Sequence, residues 1–561
     1  MENKLDRREF LKQATRAALG SAGVLMLDGC RKQRDLDLLV RGALVVDGSG
    51  RPPYQADVGI RGKYIVSIGK LRNGPARRVI EAGGLCLSPG FIDVHTHTDV
   101  ELLVCPTADS LVRQGITTAI GGNCGSSRFP LTPEMLETEN RYLKEELGIE
   151  ADWTDLAGFF RRLLRKGIGI NYATLVGQGT VRAAVVGYDN RQASAADLSR
   201  MKELVKQALD QGALGMSTGL EYAPGSFAST GELVELARVL RKFDGIYATH
   251  MRDEEDGVLE AVEEAITIAR EAGVSLEISH LKVGYPRNWD KLDELLGKID
   301  GAAARGVRIA ADVYPYTAFA TGLSIFFPLW VREGKKEDFL GRLRNPELQS
   351  RLREAVSEAE KNVGTWDKVL ISSVRTDKNR WLEGLNLEQA SRLRGQDIFT
   401  FIRDLLLDEE GQVSMVCFAM SEDNLKKILK HPLTCLCTDG ELASTSGVLF
   451  RGKPHPRYYG SFPRALAEYV RKEKLLPLEE MVRKMTSAPA EKFGLRRRGR
   501  IKEGYAADLV LFDFEKISDR ATWSEPHQYP EGIHYVVVNG RVVVEEEQFT
   551  GELPGEILGR Q

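Results

Sequence analysis

A chain of 561 residues that is 42% hydrophobic and 28% charged has enough apolar material for a large core and for more than one structural unit. Its formal charge of −3 gives no electrostatic basis for binding nucleic acid or a bulk membrane surface, which points to a small-molecule partner. Seven cysteines without a Cys-x-x-Cys pair argue against a thiolate zinc module and a dense disulfide framework.

Residues 1–30 read as a targeting segment outside the fold. Asp6-Arg7-Arg8-Glu9-Phe10-Leu11-Lys12 is similar to a twin-arginine export motif, and the uncharged residues 17–27 are too few to span a bilayer. Leu27-Asp28-Gly29-Cys30 is similar to a lipoprotein processing site. The reading predicts export, with a mature protein that is periplasmic or anchored to the membrane by lipid on Cys30.

Past this segment, residues 36–47 and 56–69 are β-rich runs broken by glycine turns. The same texture returns at 507–513 and 536–544, where Asn539-Gly540 marks a hairpin. These flanks predict a β-sandwich domain built from residues 36–88 together with 490–550. Between them, β runs alternate with helical patterns such as 232–242 and 257–272, which is the pattern of an α/β domain with a parallel sheet, here residues 89–489. The mostly helical, charged residues 333–430 read as an insertion over its mouth.

PGFIDVHTHTD at 89–99 ends an apolar strand with His95 and His97, and side chains two apart on a strand point the same way. Of the eight histidines, His250 and His280 also close short β-rich runs, and Asp439 closes another at 433–439. Polar residues that recur where strands stop predict the C-terminal rim of a (β/α) barrel. The spacing of His250 and His280 is one β/α unit, so they should sit on neighbouring strands. Cys124, in a Gly-Gly-Asn-Cys-Gly loop with little bulk to bury it, reads as a ligand. Cys86, Cys105, Cys417, Cys435 and Cys437 lie in apolar runs and read as core. His431, His527 and His534 read as surface or satisfied core histidines.

These motifs, with QGITTAIGGNCG at 114–125, GMSTGLEYAPG at 215–225, ATHMRDE at 248–254, EISHLKVG at 277–284, CTDG at 437–440, HPRYYGSFPR at 455–464 and MTSAPAEKFGL at 485–495, resemble the amidohydrolase superfamily. Within it the chain is similar to the D-aminoacylases, the N-acyl-D-amino-acid deacylases, over nearly all of residues 36–550. The resemblance implies a TIM-like (β/α)8 barrel with a small β-sandwich made by both chain ends. It also implies zinc-dependent hydrolysis of an N-acyl-D-amino acid. One tightly held zinc would take Cys124, His250 and His280, and His95 with His97 would form a second, weaker site. Asp439 would be the general base and then acid. Arg457, Lys282 and Tyr314 or Tyr316 would hold the substrate carboxylate, Tyr222 would touch the acyl group or the oxyanion, and His455 would play a supporting part.

The chemistry stands beside the resemblance. An amide is a poor electrophile and water a poor nucleophile, so an ion that polarises one and acidifies the other serves both needs. A carboxylate beside it can carry the proton from water to the leaving amine. Two departures qualify the match. Residues 215–221 hold no lysine where dihydroorotases and hydantoinases carry a carboxylated one, which favours the cysteine-type aminoacylase, and Gln178 stands where many relatives have histidine. Two other readings stay open: an amidohydrolase acting on cyclic amides or dipeptides, and an exported binding lipoprotein on a retired hydrolase scaffold. The sequence carries no signal for oligomeric state.

Overall fold

Eight short strands, buried along their whole length, run through the centre of the chain: β1 (Phe91–Asp93), β2 (Ile116–Gly121), β3 (Asn171–Thr174), β4 (Gly215–Gly219), β5 (Ile246–His250), β6 (Ser275–Ile278), β7 (Ile309–Val313) and β8 (Thr434–Leu436). This computed structural model describes residues 36–71 and 75–559. The export-like segment and Cys30 lie outside the described residues, among which no helix is long and apolar enough to cross a membrane.

Neighbouring barrel strands pair in parallel in two runs, β1 to β3 and β4 to β8. Leu214 N–H donates to Thr174 O at 2.9 Å, joining β3 to the start of β4. At the other seam Asp439 N–H donates to His95 O and His97 N–H to Gly440 O, both at 2.9 Å, just beyond the ends of β8 and β1. The ring closes as a (β/α) barrel, and burial on both faces explains why its strands read as near-continuous apolar runs. His250 ends β5 and His280 follows the end of β6 by two residues, and these two strands pair.

The crossover helices follow from caps and periodicity. The helix Thr230–Leu240 starts at Ser229, whose hydroxyl accepts the Glu232 N–H at 3.2 Å, and it buries Leu233, Leu236, Ala237 and Leu240 in one stripe.

Both chain ends meet in one nine-stranded sheet, through antiparallel pairing of Cys86–Pro89 with Leu509–Phe512. Alternation gives this sheet two jobs. Leu509 and Leu511 enter its own core with Val40, Val58 and Ile60, while Val510 and Phe512 enter the barrel's core with Phe91. The hairpin between Ile533–Val538 and Arg541–Glu545 turns at Asn539 (φ 47°) and Gly540 (φ 78°), the doubly left-handed turn that an Asn-Gly pair favours. A Cβ at Gly540 would stand 2.0 Å from Gly62 O, so only glycine fits.

Helices outweigh strands within residues 333–430, but the insertion also holds a sheet that the sequence did not suggest. Its own layer starts earlier, with a three-stranded antiparallel sheet of Phe319–Gly322, Val413–Cys417 and Val369–Val374. Helices such as Gln349–Val363 and Ile398–Asp408 pack on it around Phe327, Trp366, Ile371, Phe401 and Met415. Strands of four to six residues set among amphipathic helices give too short a period-two signal to read.

A buried polar junction ties the sheet to the barrel. Asp508 accepts Asn539 N–H at 2.8 Å and Asn171 Nδ2–H at 3.1 Å and pairs with Arg498, with both charged side chains under one-tenth exposed. Asp508→Ala leaves the Arg498 charge buried without that carboxylate and should cost about 3–5 kcal/mol, read as a lower urea midpoint at unchanged slope.

Candidate metal centre and active site

The rim formed by the C-terminal ends of the barrel strands gathers the residues singled out from the sequence. Cys124 Sγ lies 3.3 Å from His95 Nε2 and 3.4 Å from His280 Nε2, and His280 Nε2 lies 2.9 Å from His250 Nδ1. Asp439 Oδ1 stands 3.4 Å from the same His95 Nε2 and 3.2 Å from His97 Nε2. Two donor groups, Cys124 with His280 and His97 with Asp439, therefore share His95.

Local backbone puts these groups there. Cys124 (φ 49°), His280 (φ 36°) and Asp439 (φ 46°) all adopt the left-handed region that non-glycine residues rarely occupy. Such strain, of order 1–3 kcal/mol each, persists where the surroundings over-determine it and concentrates at functional sites. The Cys124 loop needs Gly122 (φ 71°), where a Cβ would meet Leu175 O at 2.1 Å.

The donor set fits a zinc ion. With Zn–N of about 2.0–2.1 Å and Zn–S of about 2.3 Å, a tetrahedral site has N–N edges of about 3.3 Å and N–S edges of about 3.6 Å, close to the separations above. Electrostatics agree. Burial raises the cost of a thiolate at Cys124, yet His95 and His280 hold its thiol well below the ordinary range. Burial also disfavours charge on His97 and His250, but the hydrogen bond that His97 donates to Asp439, and Glu254, Cys124 and Glu221 around the second, push both up to about 10. A cluster this anionic holds either protons or a cation, and a metal dication satisfies it with the imidazoles neutral.

In three of the four histidines, the ring nitrogen that faces away from the cluster meets a carboxylate. His95 Nδ1 lies 3.2 Å from Asp312 Oδ1, His250 Nε2 lies 3.0 Å from Glu221 Oε2, and His280 Nδ1 lies 3.0 Å from Glu254 Oε1. The sequence reading missed these three acids. Glu221 and Glu254 sit inside motifs already quoted, and Asp312 is an acid within the apolar strand β7, a signal that could have been read.

The residues assigned to the substrate divide. Arg457 reaches the centre: its Nη1 lies 2.8 Å from Asp439 Oδ2 and its guanidinium 4.6 Å from the centre of the Tyr314 ring. Burial disfavours charge on Asp439, but Arg457, then His280 and His95, hold its carboxyl well below the usual carboxylate range. Tyr222 packs edge-on against His250, with ring centres 4.9 Å apart. Lys282 is near but engaged, its Nζ 2.5 Å from Glu254 Oε2, so it acts here as a partner of that acid. Tyr316 is corrected: its hydroxyl lies 3.5 Å from Asp519 and Arg464 covers its ring, so Tyr314 is the tyrosine beside Arg457. The parity of Val313-Tyr314-Pro315-Tyr316 left both possible, and the proline bend decides between them. His455 accepts the Arg457 N–H on Nδ1 at 3.0 Å and donates from Nε2 to Ala318 O at 3.0 Å, which steadies Arg457. His431 pairs with Asp300, His534 with Glu546, and His527 bonds Tyr459, all away from the cluster.

Known proteins resemble this chain over almost its whole length. An amidohydrolase family model matches residues 343–544. N-acyl-D-aspartate deacylase of Alcaligenes xylosoxydans xylosoxydans is 36% identical over 530 residues, 93% of this chain and 95% of that protein. D-aminoacylase of the same organism is 35% identical over 531 residues, 93% of this chain and 98% of that protein. The chain belongs to the D-aminoacylase family of amidohydrolases. A solved member, the N-acyl-D-glutamate deacylase of Bordetella bronchiseptica complexed with zinc and a phosphonate inhibitor, superposes with a TM-score of 0.79 at 34% identity, covering 94% of this chain and all of that one. For a D-aminoacylase-family barrel with this donor set, Cys124→Ala should weaken zinc binding by more than about tenfold in a chelator competition, because it removes a direct donor, whereas His431→Ala should leave it unchanged.

Proposed function

We propose that this chain is a zinc-dependent N-acyl-D-amino-acid deacylase, which hydrolyses the amide bond to a carboxylate and a free D-amino acid. The observation that carries the reading is the junction of the Cys124, His250 and His280 donors with Asp439 across the His95 edge. Family relatives that act on N-acyl-D-amino acids, one of them solved with zinc, support the substrate class.

When bound, zinc would polarise the amide carbonyl and bring water toward ionisation near neutral pH. Cys124, His250 and His280 would hold it tightly, and His95 with His97 would offer a second, weaker site. Asp439, kept ionised by Arg457 and by the histidines beside it, accepts a proton from the attacking water. The same carboxyl then returns that proton to the amide nitrogen, which must be protonated before it can leave. Arg457, lying on the Tyr314 ring, is the group suited to the substrate's α-carboxylate, because a guanidinium fork fixes both charge and orientation. Tyr222, edge-on to His250, would meet the acyl end or the developing oxyanion.

The decisive assay is release of free amino acid from matched N-acetyl-D- and N-acetyl-L-amino acids by zinc-loaded protein. D-selective release is expected, and Asp439→Asn should lower kcat by about 10²–10⁴-fold, the usual contribution of acid–base catalysis. Silence across the panel from protein that binds zinc would sink the reading in favour of cyclic amides or dipeptides.

The twin-arginine-like and lipobox-like residues of 1–30 support the further proposal that the enzyme is exported and works in the periplasm or on a lipid anchor at Cys30. Replacing Arg7 and Arg8 together by lysine should retain the full-length chain in the cytoplasm on cell fractionation. Unchanged export would refute the assignment.

A further inference from the structure

We propose that Glu221 is a positioning residue for His250, fixing by one hydrogen bond the imidazole tautomer whose Nδ1 lone pair faces the cluster. Glu221 Oε2 stands 3.0 Å from His250 Nε2, while His250 Nδ1 lies 2.9 Å from His280 Nε2, on the side of Cys124. An imidazole carries one proton when neutral, so an acceptor at Nε2 places that proton there and frees Nδ1 as a donor. Without the carboxylate, the two tautomers compete and the ring can turn. The other acid near Nε2, Glu254, is 3.8 Å away and already paired with Lys282, so it is a poor substitute.

The segment that carries Glu221 is stitched onto His250 from several sides. Gly219 pairs in register with His250 across β4 and β5, and Leu220 N–H donates to His250 O at 3.1 Å. Tyr222 N–H donates back to Gly219 O at 3.1 Å, closing a tight turn, and the Tyr222 ring leans on the imidazole. The insertion secures this turn in its own way. Arg332 Nη1 donates to Glu221 O at 3.3 Å, and the Tyr222 hydroxyl lies 3.3 Å from Thr321 Oγ1. The insertion thus has a mechanical role at the metal centre: it holds the turn whose carboxylate orients His250.

This role rests on the zinc reading above, and its test reads metal binding in place of turnover. Zinc affinity of metal-stripped protein is measured by chelator competition for the unaltered chain, Glu221→Ala and Glu221→Gln, with the melting temperature of each metal-free form. Loss of an acceptor behind a metal-bound histidine characteristically weakens binding about 10–100-fold, and that is the expectation for Glu221→Ala. The glutamine keeps a carbonyl that can accept the same proton, so Glu221→Gln should recover most of the affinity. Metal-free melting temperatures of the three should agree, which a purely structural role of Glu221 would not allow. Equal affinity of Glu221→Ala and the unaltered chain, or a glutamine variant as weak as the alanine one, would overturn the positioning role alone. Failure of the unaltered chain to bind zinc would overturn that role together with the proposed function.

Discussion

Asp93 sits at the seam between the first and eighth barrel strands, where its carboxyl group accepts the Thr438 N–H at 3.0 Å and the Thr438 hydroxyl at 2.5 Å and lies 3.3 Å from the His95 amide. Beside it, the Asp439 amide donates to His95 O. These bonds close the barrel between residues nearly 350 positions apart, and the rest of the site depends on them. His95, His97 and Asp439 are neighbours only because the last strand returns to the first. Burial pushes the Asp93 carboxyl up to about 7 in spite of the bonds that favour its charge.

From that seam the centre is built outward in shells of opposite charge. Cys124 and Asp439 concentrate negative charge, and His95, His97, His250 and His280 surround it with imidazoles. Asp312, Glu221 and Glu254 stand behind three of those rings. Lys282 and Arg457 then neutralise two of the acids, Glu254 and Asp439. Buried ion pairs of this kind contribute little net stability, because desolvation offsets their attraction. What they do secure is geometry: each of these three rings has one nitrogen committed outward and one free to face the cluster.

The insertion between β7 and β8 has its own core and antiparallel sheet, yet it reaches the turn beside the metal centre through Thr321 with Tyr222 and Arg332 with Glu221. Its abundant charges are mostly spent on itself. Arg375 pairs with Glu410 and Lys378 with Asp408, so neither reaches toward the centre.

The sequence by itself determined the fold class and most of the centre. A histidine or acid at the end of an apolar run marks a strand terminus, and parallel strands bring their C-terminal ends to one rim, so His95, His97, His250, His280 and Asp439 were legible from spacing, and Cys124 from its glycine loop. The terminal β segments were legible too, because Asn-Gly turns and period-two alternation are local signals. Only the tertiary structure decided which atoms meet. That Asp312, Glu221 and Glu254 back the histidines depends on contacts between different strands and loops, and an acid inside a motif looks the same whether it faces solvent or an imidazole. The choice of Tyr314 over Tyr316, and the commitment of Lys282 to Glu254, likewise turn on side-chain directions. Those are fixed by packing across the barrel mouth, a constraint that no local pattern in the chain encodes.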